Sequence, residues 1–348
     1  MRKLYTTLAI LFALLFGFNQ GTLAEEAANI EVLPTMNTVS TAPNRIWVGT
    51  FQIVWNEVMD KIVYGPIRFV KFNSPMAKAL NKQEFKKTNI SENSYYTKYG
   101  AVSPKLKSEI ETGIKEKFNE TSDILEMFDF SYQPDKLFIY AMLKKDFKFL
   151  TPFDKLSQGG FGNNYNLVDY FGINGDSNKK LYKNVNVLFY NSSNDFAVKL
   201  ITKDKDAVIL YRTDDDTTFG KYLADINKKD KKYTGSRKFK SDDKLRVPDI
   251  NLYQEASFKE LEGHDIKGSK FRIDKTIETV DFRMNNEGVK LKSEAAMIMK
   301  CLALPVERGR DFNFSNSFVL FLIEKHQKVP YFAMRVNDVQ TLNSTGKK

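Results

Sequence analysis

Hydrophobic and polar positions predict several helices in the N-terminal part of the chain. Across residues 46–64, apolar side chains recur every three or four positions, which predicts a core helix ending at Gly65-Pro66. Residues 75–85 and 104–118 show similar spacing, and the second segment is Lys-rich and amphipathic, which is typical of a surface helix. These helices need a core that other segments must complete.

Strand patterns dominate the middle of the chain. Residues 136–149 form an apolar run long enough for a buried strand. Three more apolar runs follow at residues 185–190, 196–201 and 207–211, separated by short turn-rich segments. Because short connections join antiparallel strands, these runs predict a three-strand meander. The predicted class is α+β, with antiparallel sheets and surrounding helices.

The C-terminal third contains a long connection between two strand regions. Residues 273–284 carry alternating apolar positions, and the strand ends at Glu287-Gly288, where glycine freely takes a positive φ. We expect this strand to lie centrally in the largest antiparallel sheet. Strongly apolar runs return only at residues 318–323 and 329–336. Loops as long as the intervening segment are usually functional in compact domains.

This third of the chain resembles the serpin family. Serpins carry an acidic-Gly hinge and a Glu-Ala-Ala run on a central strand, then an exposed reactive loop, a Phe-rich strand and a C-terminal hairpin. The matching residues here are Glu287 and Gly288 at the hinge, Ser293, Glu294, Ala295 and Ala296 in the run, Phe314, residues 318–323 and residues 331–336. The resemblance rests on residues 136–338. It implies a serpin-like fold with an exposed reactive-centre-type loop.

The resemblance also implies a mechanism. A protease would cleave the exposed loop, and the freed segment would insert as a new strand into the main sheet and trap the acyl-enzyme. The family spacing places the cleaved bond near Val306-Glu307. Nearby alternatives for elastase-like or trypsin-like enzymes are Leu302, Leu304, Arg308 and Arg310, so the target class stays open. The implied partner is a protease of serine type, or of cysteine type, and no cofactor is implied.

The N-terminus predicts export. Residues 1–24 combine a basic start, a nearly continuous apolar stretch and a small-residue cleavage site, the pattern of a secretory signal peptide. Residues 25–44 are polar and contain two prolines, which predicts a flexible leader. We expect a single domain over residues 45–340 and a C-terminal tail over residues 341–348. The expected product is a monomer that is secreted or periplasmic.

Composition and charge add two constraints. Cys301 is the only cysteine, so an exported fold would be held by its core rather than by disulfides. The formal net charge is +10, which is compatible with an acidic partner. No nucleic-acid partner is expected. A weak polyanion site is conceivable in the basic segment 228–240, where a mobile solvated loop is the preferred interpretation; its first lysines are Lys228, Lys229, Lys231 and Lys232.

Enzyme chemistry has little support in the sequence. His264 and His326 each lie beside a turn without a second histidine at ligand spacing, so no metal site is predicted. Three adjacent acidic residues at 214–216 precede a predicted helix, which favours helix capping over calcium binding. The leading hypothesis is a secreted serpin-like protease inhibitor and not an enzyme. The alternatives are a non-inhibitory serpin-fold binding or surface protein and, third, an unrelated secreted enzyme.

Overall fold

The computed structural model describes residues 29–291 and 309–347. The strands in these ranges are Ile30–Val32 (β1), Asn44–Val48 (β2), Tyr95–Val102 (β3), Gln133–Leu143 (β4), Lys145–Lys148 (β5), Asp154–Phe161 (β6), Asn164–Ile173 (β7), Val185–Ser192 (β8), Asp195–Ile201 (β9), Asp206–Arg212 (β10), Lys244–Pro248 (β11), Ile250–Ala256 (β12), His264–Asp265 (β13), Arg272–Ile273 (β14), Glu278–Met284 (β15), Gly288–Leu291 (β16), Asp311–Asn313 (β17), Phe318–Glu324 (β18) and Phe332–Val336 (β19). The α-helices are Gly49–Val58 (α1), Pro75–Leu80 (α2), Pro104–Phe118 (α3), Phe219–Lys232 (α4) and Val339–Ser344 (α5).

The largest sheet has seven strands in the order β1-β2-β19-β18-β10-β9-β8. Its central strands β10 and β18 are buried along their whole length and pair antiparallel, with Ile209 opposite Phe321. Continuous apolar runs are typical of strands buried on both faces. The prediction of a strand over residues 318–323 is therefore confirmed. The predicted meander is also present as β8, β9 and β10.

Two four-stranded sheets have the orders β12-β15-β16-β5 and β17-β11-β7-β6, and β3 pairs with β4 alone. The hinge strand β15 is thus the second strand of a four-stranded sheet. Our expectation that it lies in the largest sheet is wrong. The largest sheet contains β18 and β19, the next long apolar strands along the chain, but it does not contain β15. One apolar cluster joins these sheets and α1, while a smaller cluster lies between α3 and β4.

The segment predicted as one helix over residues 46–64 begins as a strand. Trp47 lies in β2, opposite Ala333 of β19, and the Gly49 N–H donates to the carbonyl of Tyr331. The helix begins at Gly49, and its last turn, Met59–Val63, is π-helical. The strand forms because β19 provides a ladder of hydrogen bonds that local apolar spacing does not reveal.

Both predicted terminal extensions contain ordered elements. In the expected flexible leader, β1 pairs parallel with β2, and Leu33 and Met36 are buried. In the expected tail, α5 buries Val339 and Leu342. Burial of these apolar side chains favours order over a solvated coil. The predicted signal peptide, residues 1–24, lies outside the described residues.

Two charged segments also differ from their predictions. The first part of the basic segment 228–240 is helical, because α4 extends to Lys232. The acidic residues 214–216 do not cap α4, whose N-cap is Thr218. Asp214 instead pairs with Arg212 at 2.7 Å, and Asp216 pairs with Arg45. Asp214 and Asp216 therefore neutralise buried arginines instead of capping the helix.

Candidate functional site

An open cleft separates strands β15 and β4. One edge of β15 pairs with β12 from Glu278 to Met284, but among the described residues its other edge pairs with β16 at Arg283 and Met284 alone. Strand β4 pairs with β3 on its far edge. A cavity of about 720 Å³ lies between the facing parts of β15 and β4. We call this cavity the cleft. Its volume is within the range of roughly 300–1,000 Å³ that is usual for binding sites.

Strand β16 lies between β15 and β5 and closes one end of the cleft, which we call its upper end. It runs antiparallel to β5, from Gly288 opposite Lys148 to Leu291 opposite Lys145. A Cβ atom at Gly288 would lie 2.3 Å from the carbonyl oxygen of Phe147, so the close approach of the two strands requires glycine. The predicted hinge residues Glu287 and Gly288 therefore form the turn and the first position of a short strand.

A buried carboxyl group lies at the floor of the cleft. Val54 and Val58 of α1 line the cavity, and Glu278 of β15 lies at the N-terminus of this helix. Glu278 Oε1 accepts a hydrogen bond of 3.2 Å from the Phe51 N–H, and Oε2 has no partner among the described residues. Burial raises the pKa of Glu278 to about 8, against the lowering effect of the Phe51 hydrogen bond.

The outer side of the cleft is covered by residues 119–130, which we call the cover segment. Met127, Phe128 and Phe130 of this segment line the cavity. Phe130 also packs with α3 and with Tyr140 of β4 in the smaller apolar cluster. A strand that entered the cleft would thus lie between α1 and the cover segment.

A buried charged cluster lies beside the upper end of the cleft. The Lys145 ammonium on β5 pairs with Glu324 and, at 2.9 Å, with Asp206. The Tyr331 hydroxyl donates to Asp206 at 2.9 Å, and the Ser91 N–H and hydroxyl both donate to Glu324. These pairs tie the strand that contacts β16 to the seven-stranded sheet. The sequence offered one signal for them, a lysine inside an apolar strand pattern.

The C-terminal end of the predicted loop is tightly anchored. The Arg310 guanidinium forms two hydrogen bonds with the buried Asp243 carboxylate, of 3.1 and 2.6 Å, and donates to the carbonyls of Ser236 and Lys238. A Cβ atom at Gly309 would lie 1.4 Å from the Asp242 carbonyl oxygen. The chain therefore joins β17 along one defined path.

The other predicted loop residues lie outside the described residues: Ser293, Glu294, Ala295, Ala296, Val306, Glu307 and Arg308. Cys301 lies outside them as well. For these positions the sequence-based assignments stay predictions.

The lysines of the suggested polyanion site are not equivalent. Lys229 is held by Asp195 and Asp225, each at 2.8 Å, and by the Tyr211 hydroxyl. Lys228, Lys231 and Lys232 are exposed. A polyanion would therefore meet three exposed ammonium groups and a fourth that is already neutralised by two carboxylates.

No group of three potential metal ligands occurs within residues 29–291 and 309–347. His264 stacks on Phe72, with ring centroids 4.1 Å apart, and His326 lies in the turn after β18 with a φ of 75°. In the same part of the chain, no helix has the length and apolar character needed to span a membrane.

Comparison with known proteins identifies relatives in structure but not in sequence. No family model matches the chain, and no curated protein matches it. Human thyroxine-binding globulin complexed with thyroxine is similar, with 11% identity over 86% of this chain and 93% of that chain and a TM-score of 0.49. Serpin48 of the insect Tenebrio molitor has 12% identity over 83% and 95% of the two chains and a TM-score of 0.42. Mouse protein Z-dependent protease inhibitor has 13% identity over 73% and 77%, with a TM-score of 0.44.

The predicted class is confirmed: the chain is α+β, with antiparallel sheets and surrounding helices. Its fold is similar to those of the structures named above. At these identities the likeness concerns the fold alone.

Proposed function

We propose that the protein is a secreted inhibitor that traps a serine-type, or cysteine-type, protease by inserting its cleaved loop into the cleft. The observation that carries this proposal is the position of β16. It occupies the upper end of the gap between β15 and β5, while the same gap stays open below it between β15 and β4. The polypeptide that leaves Leu291 thus starts at the entrance of a strand-sized opening.

The pairing register supports this proposal. If the antiparallel pairing of β16 continued, Ser293 would lie opposite Val280 and Leu143, and Ala295 opposite Glu278 and Ala141. Residues directly opposite each other share a face of the sheet, so Ser293 and Ala295 would point toward α1. Both side chains are small and uncharged, as a space bounded by a helix requires.

The edges of β15 and β4 that face the cleft supply the driving force. An extended segment that enters between β15 and β4 would form backbone hydrogen bonds on both of its sides. About eight such bonds at a net 0.5–1.5 kcal/mol each would raise the melting temperature by more than about 10 °C. Cleavage of the loop would release the segment from its C-terminal anchor and permit complete insertion.

The anchor at Arg310 narrows the expected cleavage site. A trypsin-like enzyme needs the arginine side chain free to enter its specificity pocket, but the Arg310 guanidinium is already bound to Asp243. Cleavage near Val306-Glu307 or after Arg308 is therefore preferred over cleavage after Arg310. The target protease would accept a loop held close to α4 and β11.

The test is to incubate the protein with trypsin-, chymotrypsin- and elastase-like proteases and to look for a covalent complex on denaturing gels. We expect a complex with at least one enzyme and a cleaved form that melts well above the intact form. A Ser293→Arg variant would place a charge on the inserting face and should become a substrate without inhibition. Glu294→Arg is the matched control, because residue 294 would lie on the opposite face and is already charged.

The opposite result defines the second candidate function. If no enzyme forms a complex and loop cleavage leaves the melting temperature unchanged, the inhibitor proposal is wrong. The cleft, with its apolar lining, would then favour a non-inhibitory binding protein.

A further inference from the structure

A lysine near the C-terminus connects the cover segment to the wall of the cleft. Lys347 Nζ lies 2.9 Å from Asp123 of the cover segment and 3.7 Å from Asp281 of β15. Asp281 lies on the outer face of its strand, and its side chain is only 7% exposed. One ammonium group therefore joins two carboxylates that belong to different sides of the space a new strand would occupy.

The position of Lys347 is set by several contacts. Its carbonyl accepts from Arg283 at 3.1 Å, and its ammonium lies 4.0 Å from the centre of the Tyr253 ring. The preceding residues cover the free edge of β12, where the Tyr253 N–H donates to Thr345 Oγ1 at 3.2 Å. A long lysine side chain held at its backbone and along its length loses less freedom when it forms an ion pair.

Two other lysines hold the cover segment at different points. Lys144, at the end of β4, pairs with Glu120 at 2.7 Å. Lys275, in the loop before β15, donates to the Met127 carbonyl at 3.2 Å. The cover segment is therefore bound to both walls of the cleft. Lys347 supplies its ion pair with the β15 wall.

We propose that Lys347 acts as a latch that holds the cover segment over the cleft and thereby slows strand insertion. The proposal rests on the insertion mechanism described above. Because strand side chains alternate, half of those on an inserted strand would point outward into the space that the cover segment occupies. The cover segment must move away from β15 for these side chains to enter, and this movement breaks the Asp123–Lys347–Asp281 bridge.

The experiment measures insertion with a probe of known sequence. An acetylated peptide of residues 293–300, Ser-Glu-Ala-Ala-Met-Ile-Met-Lys, is incubated with intact protein, and annealing is followed by the rise in melting temperature. We expect Lys347→Met to anneal the peptide about three- to fivefold faster than the natural protein, as expected for loss of a partly exposed ion pair. Lys347→Arg should keep the natural rate, and Lys82→Met, an exposed lysine outside the cleft, should not change it.

Two further measurements separate a latch from a general loss of stability. High salt should accelerate annealing in the natural protein more than in Lys347→Met, because it screens the bridge. Hydrogen exchange of residues 119–130 should be faster in Lys347→Met, with the melting temperature of the intact protein unchanged within about 2 °C.

The outcomes distinguish the latch from the proposed function. Equal annealing rates in all variants overturn the latch and leave the insertion mechanism intact. If the peptide anneals to no variant, the insertion mechanism fails, and hydrogen exchange decides whether Lys347 holds the cover segment. Unchanged exchange in Lys347→Met overturns the latch in that case too.

Discussion

Replacing Glu278 with glutamine should change how stability depends on pH. The Glu278 carboxyl is buried at the floor of the cleft, and burial raises its pKa from 4.5 to about 8. The folded protein therefore keeps this group protonated over a pH range in which the unfolded chain releases the proton. The unfolded state then binds fewer protons than the folded state, so stability falls as the pH rises from about 4.5 to 8.

The size of the effect follows from the pKa difference. One pKa unit corresponds to about 1.36 kcal/mol, so the shift from 4.5 to about 8 corresponds to at most about 5 kcal/mol above pH 8. Glutamine has nearly the same shape, and its oxygen can still accept from the Phe51 N–H. Below pH 4.5 we therefore expect the two proteins to agree within about 1 kcal/mol. At pH 9 the variant should be more stable by several kcal/mol.

Urea unfolding followed by tryptophan fluorescence between pH 4.5 and 9 measures this difference. Asp249, whose pKa burial and the nearby Asp169 raise to about 7, adds its own pH dependence. That contribution is present in both proteins and cancels in the difference. Glu92→Gln, at an exposed position, is the control and should follow the natural protein at every pH. Parallel curves for the natural protein and Glu278→Gln would refute the reasoning, because they would mean that Glu278 ionises equally in both states.

Three other predictions concern the strands and the loop around the cleft. Lys145→Met leaves two buried carboxylates without their cation and should lower the free energy of unfolding by about 3–5 kcal/mol. Substitution of the exposed Lys148 with Met should change it by less than about 0.5 kcal/mol. Chemical denaturation measures both. Gly288→Val should separate β16 from β5 and destabilise the protein by more than about 2 kcal/mol, because its Cβ would overlap the Phe147 carbonyl oxygen. Gly65→Ala, where the added Cβ meets open space, should be nearly neutral. Limited trypsin digestion should cut first between residues 292 and 309 and spare the bond after Arg310; an early cut within residues 228–240 would contradict the loop assignment.

Local sequence patterns determined the elements whose stability is local. Helix α3 was predicted at residues 104–118 and spans Pro104–Phe118, because proline at its start and the Ser103 hydroxyl, which accepts from the Leu106 N–H, fix its beginning. Strand β18 was equally clear, since the six consecutive apolar residues 318–323 leave no polar face. The end of β15 before Gly288 also followed from residue type, but Gly288 does not take the expected positive φ; glycine is needed there because β16 approaches β5 closely.

Tertiary structure decided which strands share a sheet and which charges are buried. Trp47 belongs to a strand because β19 lies beside it. Strand β15 lies in the four-stranded sheet with β12, β16 and β5, whereas β18 and β19 pair within the seven-stranded sheet. In the sequence Glu278 and Lys347 look like ordinary polar positions, and the one signal for Lys145 is a lysine inside an apolar strand pattern. Their partners lie far away along the chain, and only folding removes water from them or brings opposite charges within reach. Hydrophobic spacing reports the surroundings of a residue within a few positions, whereas β4 and β15, the strands that face each other across the cleft, are more than a hundred residues apart.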